Sequence, residues 1–127
     1  MFVSKQGGLL MSQVVLVVDD EPLINMGVTE SLRDGGFDVI SAYNAEEALA
    51  LLEAHPEITT IFTDIAMPGN MDGLKLAAAV RDRWPPIHII ITSGHETPMA
   101  SDMPERAVFI PKPYFHADVV DAVRFFA

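Results

Sequence analysis

Four short apolar runs in this chain each end on residues that could do chemistry. VVLVV (14–18) is followed by Asp19, Asp20 and Glu21, and ITTIFT (58–63) by Asp64. IHIIIT (87–92) is followed by Ser93 and Gly94, and AVFI (107–110) by Lys112, which is set between Pro111 and Pro113. Two or three carboxylates brought within a few ångströms repel each other, which raises a pKa or demands a cation. A hard site made of carboxylate oxygens and completed by water suits Mg²⁺. A lysine beside it opposes cation binding unless an anion enters as well. A divalent cation, an ammonium and a hydroxyl together match a phosphoryl group: the cation and ammonium neutralise its oxygen charge, and the hydroxyl donates a hydrogen bond. One carboxylate is then free to act as nucleophile and form an aspartyl-phosphate.

These groups act together only if the fold gathers the ends of the runs. All four runs are brief and rich in β-branched or aromatic residues, as expected of strands buried on both faces of a parallel sheet. A fifth segment, FDVISA (37–42), alternates more and reads as an edge strand. Helical patterns lie between the runs. Residues 22–34 repeat Ile24, Val28 and Leu32, with Pro22 in the first turn and Gly35-Gly36 as the stop. Residues 45–54 follow Asn44 as N-cap, 72–84 align Leu76, Ala77, Val80 and Trp84, and 117–126 align Val119, Val123 and Phe126. Between the fourth and fifth strands, SGHETPMASDMPER predicts a fourth helix that is short or irregular. The alternation predicts one doubly wound α/β domain of five parallel strands, with right-handed crossovers. Ligands of such sheets bind beyond the carboxyl ends of the strands, where the acidic residues, Ser93 and Lys112 would converge.

The 127 residues carry 8 Lys and Arg against 18 Asp and Glu, a net charge of −10, which disfavours nucleic acid and anionic lipid as partners. With no cysteine, thiolate metal sites and cysteine nucleophiles are excluded. No run of 18 apolar residues marks a membrane span, and a cytoplasmic location is expected. Residues 1–12 read as a flexible leader before a domain spanning 13–127, with Met11 as an alternative start.

VVLVVDDE, TDIAMPGNMDG, the TSG after IHIII, and FIPKP, taken together and in order, resemble the receiver domain of bacterial two-component response regulators. The resemblance covers roughly 13–127. It implies a flavodoxin-like sheet of strand order 2-1-3-4-5 and a single-domain receiver, with a sensor histidine kinase or histidine phosphotransfer protein as phosphoryl donor. Residue by residue, it implies that Asp64 is the phospho-acceptor and that Asp20, Asp19 (through water), Asp64 and the backbone carbonyl of Ala66 surround Mg²⁺. Ser93 takes the place of the switch hydroxyl, with the extra Asn70 shifting the count by one. Lys112 pairs with phosphate, Lys112–Pro113 resembles the family's cis peptide, and Phe109 replaces a rotating aromatic that is more often tyrosine. On this reading the chain catalyses nothing beyond its own Mg²⁺-dependent phosphorylation and dephosphorylation, and it either relays a signal to a downstream protein or buffers phosphate as a sink.

Plainer readings compete. Asp19-Asp20-Glu21 could merely cap a helix and complement its dipole, Asp64 could be a solvated loop residue, and Lys112 could guard a sheet edge. Among the four histidines only His95 adjoins the proposed site, and Met67, Met71, Met99 and Met103 read as adaptable packing. A pseudo-receiver, a binding module of the same fold that does not cycle phosphate, is the main alternative. A phosphatase of the haloacid dehalogenase type would need a second Asp where Ala66 stands.

Overall fold

The computed structural model describes residues 13–69, 71–94 and 97–126. The expected leader, Asn70 and His95 lie outside the described residues. Five strands, β1 (Val14–Val18), β2 (Asp38–Ala42), β3 (Thr60–Asp64), β4 (His88–Ser93) and β5 (Ala107–Pro111), form one sheet in the order β2-β1-β3-β4-β5. Every neighbouring pair is parallel. Helices α1 (Pro22–Asp34), α2 (Ala45–Ala54), α3 (Gly73–Arg83) and α4 (His116–Phe125) cover both faces. This is the flavodoxin-like arrangement of a doubly wound sheet.

Strand alternation divides the core into two layers. Leu16, Val18, Ile61, Ile89 and Ile91 point towards α2 and α3, where they meet Leu52, Leu76 and Val80. Val15, Val17, Phe62 and Ile90 point the other way and meet Val28 and Leu32 of α1 and Val119 and Val123 of α4. Since the central strands are covered on both sides, their sequences are continuous apolar runs rather than alternating ones. Each fully buried Leu, Ile, Val or Phe side chain contributes roughly 1.5–3 kcal/mol from water exclusion alone.

Local chemistry sets the helix ends. Asn44 Oδ1 accepts from the Glu47 amide at 2.8 Å, while the Glu47 carboxylate accepts from the Tyr43 amide at 2.7 Å. Asp72 precedes α3 as its cap, accepting from the Lys75 amide at 2.9 Å, and Trp84 follows it; both were expected inside the helix. Gly36, at φ +98°, ends the α1 turn in a conformation that favours glycine. The buried stripe of α1 is Asn25, Val28, Thr29 and Leu32, one residue round from the expected stripe that began at Ile24. In the place of a fourth helix, the described residues between β4 and β5 hold a single 3₁₀ turn, Ala100–Asp102.

Two boundaries matter for the site. The apolar patterns end at Phe62-Thr63 and Ile91-Thr92, but hydrogen-bonded pairing runs one residue further, joining Asp64 to Thr92 and Ser93 to Pro111. Asp64 and Ser93 are thus the last residues of strands and not the first of loops. The chain then returns over the end of β3 through Gly73, whose amide donates to the Ile65 carbonyl at 2.9 Å. A Cβ at Gly73 would lie 1.9 Å from the backbone oxygen of Asp64, so any side chain there forces α3 off the acceptor strand. Gly73→Ala should lower unfolding free energy by about 3 kcal/mol, read as a fall in the urea midpoint. An unchanged midpoint would mean that α3 does not press on Asp64.

Candidate functional site

Each acidic side chain is held by the strand that carries it. The Asp19 amide extends the β1–β2 ladder by donating to Ala42 O at 3.2 Å. Asn25, buried on α1, donates through Nδ2 to the carbonyls of Asp19 at 3.1 Å and Ala42 at 3.0 Å. It thereby satisfies two backbone acceptors where the ladder stops. Lys112 is held in the same way from the other side, its amide donating to Ser93 O at 3.0 Å. The Lys112–Pro113 peptide bond is cis.

The result is one acidic cavity of about 200 Å³, lined by Asp20, Glu21, Asp64, Ala66, Gly94 and Lys112. Asp19, Asp20 and Asp64 offer oxygens that all lie within 4.8 Å of one another. Asp19 and Asp64 are buried, at 1% and 5% exposure, while Asp20 is exposed. The Lys112 ammonium lies 2.6 Å from Asp64 Oδ2 and 3.9 Å from Asp19 Oδ2. Asp64 Oδ1 accepts from the Ala66 amide at 3.1 Å, and Asp19 Oδ1 from the Glu21 amide at 2.9 Å. Asp19 Oδ2 has no hydrogen-bond partner among the described residues.

These contacts decide the electrostatics. Burial pushes the Asp19 pKa up to about 6; the Glu21 amide and Lys112 pull it down, and Asp64 and Asp20 push it up further. Burial also pulls the Lys112 pKa down, but the hydrogen bond and charge of Asp64, with Asp19 and Glu21, outweigh it and hold the ammonium above its usual range. Four acids, Asp19, Asp20, Glu21 and Asp64, face one base, leaving an excess of negative charge and a buried Asp19 oxygen that accepts no hydrogen bond among the described residues. Those donors fit Mg²⁺, a hard cation that takes carboxylate oxygens and keeps several waters.

Of the residues singled out in the sequence, Asp20, Asp64, Ala66 and Lys112 line this cavity, and buried Asp19 holds an oxygen within 4.8 Å of those of Asp20 and Asp64. Ser93 is buried at the end of β4 beside it. Phe109 does not line the cavity: it lies on the α2–α3 face, partly buried against that core layer together with Met67, Met71 and Met103, whereas Met99 is exposed. Glu21 is the residue before α1 and makes no side-chain cap, so helix capping does not account for the acidic triplet. Sequence reasoning passed over Asn25 and Gly73. A polar residue inside the apolar stripe of α1 is the one signal that could have flagged Asn25.

A parallel sheet with an acidic, lysine-bearing cavity at the carboxyl ends of its strands defines a doubly wound α/β domain whose ligand site lies at that edge. The sequence pattern of the response regulator receiver domain matches residues 15–124. The chain therefore belongs to the response regulator receiver family. It is 37% identical over 113 residues to the nitrogen assimilation regulatory protein NtrX of Azorhizobium caulinodans, covering 85% of this chain and 24% of that protein. It is 38% identical over 89 residues to a putative NtrX-like response regulator of Rickettsia felis, covering 68% of this chain and 18% of the relative. The chain thus spans about a quarter or less of the length of these relatives. Among solved structures, a response regulator receiver protein from Sinorhizobium medicae superposes with a TM-score of 0.84 at 27% identity, over 91% of this chain and 94% of that one. One from Pseudomonas putida gives 0.81 at 29% identity, over 91% and 98%. No helix among the described residues is long and apolar enough to cross a membrane.

The buried acid has a measurable consequence in the metal-free protein. Native Asp19 keeps its proton up to about pH 6, the unfolded chain only to about 3.8, so the native state binds more protons between these values. Stability from this group is therefore full below about pH 4 and is lost as pH rises through 6. Asp19→Asn should stabilise the chelator-treated protein by roughly 2–3 kcal/mol at pH 8 and by little at pH 4, measured by urea denaturation. A gain that does not depend on pH would refute this account.

Proposed function

We propose that the chain accepts a phosphoryl group on Asp64, from a histidine kinase or a histidine phosphotransfer protein, and relays or buffers a two-component signal. The observation that carries the reading is the pairing of buried Asp64 with Lys112 beside two further carboxylates. In the transfer the P–N bond of a phosphohistidine breaks and a P–O bond to the Asp64 carboxylate forms. The histidine leaves with the electron pair of the broken bond and is protonated from solvent. Asp19, Asp20, Asp64 and the Ala66 carbonyl would hold Mg²⁺, which neutralises charge on the phosphoryl oxygens. Lys112 exchanges its contact with Asp64 Oδ2 for one with the incoming phosphoryl group, so its charge stays paired throughout. The Ser93 hydroxyl donates a hydrogen bond to a phosphoryl oxygen, and water later hydrolyses the acyl phosphate and regenerates the carboxylate. Ser93 and Phe109 share a face of the sheet, and Phe109 neighbours Ile91 in the β4–β5 register. Phosphorylation at Asp64 is thereby passed through the end of β4 to the packing of Phe109, which biases an interaction surface by packing alone.

Asp64→Asn should abolish incorporation of phosphate from a small-molecule phosphodonor and from a phosphorylated histidine kinase, with Mg²⁺ present, as measured by intact mass. Retained stoichiometric, acid-stable labelling would overturn the assignment of the acceptor. Amide spectra supply an independent arm: Mg²⁺ and then beryllium fluoride should shift signals at the ends of β1, β3 and β4. A chain indifferent to both is instead a binding module of the same fold.

A further inference from the structure

Asp20 is the exposed acid of the three, and its carboxylate makes no hydrogen bond among the described residues. Its oxygen nevertheless lies within 4.8 Å of those of Asp19 and Asp64. Without a side-chain tether, the backbone around Asp20 sets where that oxygen stands. Asn25 holds this backbone from both sides. Its side-chain Nδ2 donates to Asp19 O at 3.1 Å, and its own amide donates to Glu21 O at 2.9 Å. The peptide plane before Asp20 is thus pinned at its carbonyl by Asn25. The plane after it is pinned at the Glu21 amide, which donates to Asp19 Oδ1 at 2.9 Å.

The sense of every bond around the Asn25 side chain is fixed by its partners. Carbonyl oxygens only accept, and Asp19 O and Ala42 O lie 3.1 and 3.0 Å from Nδ2, so the amide nitrogen faces them with both hydrogens. Oδ1 is thereby turned towards Thr29, one turn further along α1, whose hydroxyl donates to it at 3.3 Å. Thr29 has one hydrogen to give, so it accepts from the Ser41 hydroxyl of β2 at 3.1 Å. A one-way chain of donors runs from Ser41 through Thr29 and Asn25 to the Asp19 carbonyl, and both helix residues are buried. Leucine would fill the same space at position 25 but leave that buried carbonyl without its donor, so packing does not account for the amide.

We propose that Asn25, oriented by Thr29 and Ser41, is a positioning residue for Asp20 and thereby sets the affinity of the acid cavity for Mg²⁺. Rotamers follow backbone dihedrals, so a fixed backbone narrows where an untethered carboxylate points, and less freedom is lost when a cation binds. The clasp stands on its hydrogen bonds alone; its effect on metal binding rests on the reading under "Proposed function".

Mg²⁺ titration of the folded protein, followed by amide spectra, tests it. Asn25→Leu should bind Mg²⁺ about tenfold more weakly than wild type. Thr29→Val keeps both donors of Asn25 and removes only the orienting hydroxyl; it should bind about threefold more weakly. A folded Asn25→Leu with wild-type Mg²⁺ affinity is merely less stable, and overturns the proposal. Where Asn25→Leu does not fold, Thr29→Val decides alone, and an unmoved affinity overturns the proposal. A second measurement needs no metal. In chelator, hydrogen exchange at Asp19 and Glu21 should quicken about tenfold relative to Val17 in the folded variant, and an equal change at all three positions overturns the clasp. If wild type itself binds no Mg²⁺, the metal-dependent reading under "Proposed function" fails, while hydrogen exchange still decides the clasp.

Discussion

Like charges crowd the carboxyl edge of the sheet, and most of the local architecture answers to that crowding. Asp19, Asp20 and Asp64 hold oxygens within 4.8 Å of each other, and two of the three are withdrawn from water. A buried carboxylate without compensation is among the most expensive groups a fold can carry. Lys112 supplies the main compensation, with a contact of 2.6 Å to Asp64 and a more distant one to Asp19. Backbone amides of Ala66 and Glu21 supply the rest. What remains uncompensated is an excess of negative charge, on oxygens that fit a divalent cation.

Rigid surroundings are needed to keep such a site from relaxing. Asn25 closes the frayed end of the β1–β2 ladder, and Gly73 lets α3 lie against the backbone of Asp64. Neither residue has chemistry of its own at the cavity; both fix where the acids stand. The region between β4 and β5 is built differently, with one 3₁₀ turn among its described residues.

Much of this was legible in the chain. Four apolar runs named the covered strands, because strands covered on both faces must be apolar at consecutive positions, and the alternating segment 37–42 named the edge strand. The residues at the ends of those runs named Asp19, Asp20, Asp64, Ser93 and Lys112. Less legible were the boundaries: hydropathy stops at Thr63 and Thr92, but ladder pairing continues to Asp64 and Ser93. Backbone hydrogen bonds do not depend on side-chain polarity, so a polar strand terminus reads as loop. The buried stripe of α1 was displaced for a related reason, since Asn25 and Thr29 are buried to satisfy polar groups and not to fill apolar space.

Composition and order by themselves determined the layered α/β class, the edge at which chemistry gathers and the identities of the charged groups there. These follow from periodicity and from the polarity of strand ends, both local properties of a linear chain. Tertiary structure alone decided which acids are buried, that Lys112 reaches Asp64 more closely than Asp19, and that Phe109 packs in the α2–α3 core layer and does not line the cavity. It also set the Tyr114 ring edge-on against Phe62. Those outcomes depend on distances between residues dozens of positions apart, and dielectric, desolvation and hydrogen-bond reach exist only once the sheet has brought them together.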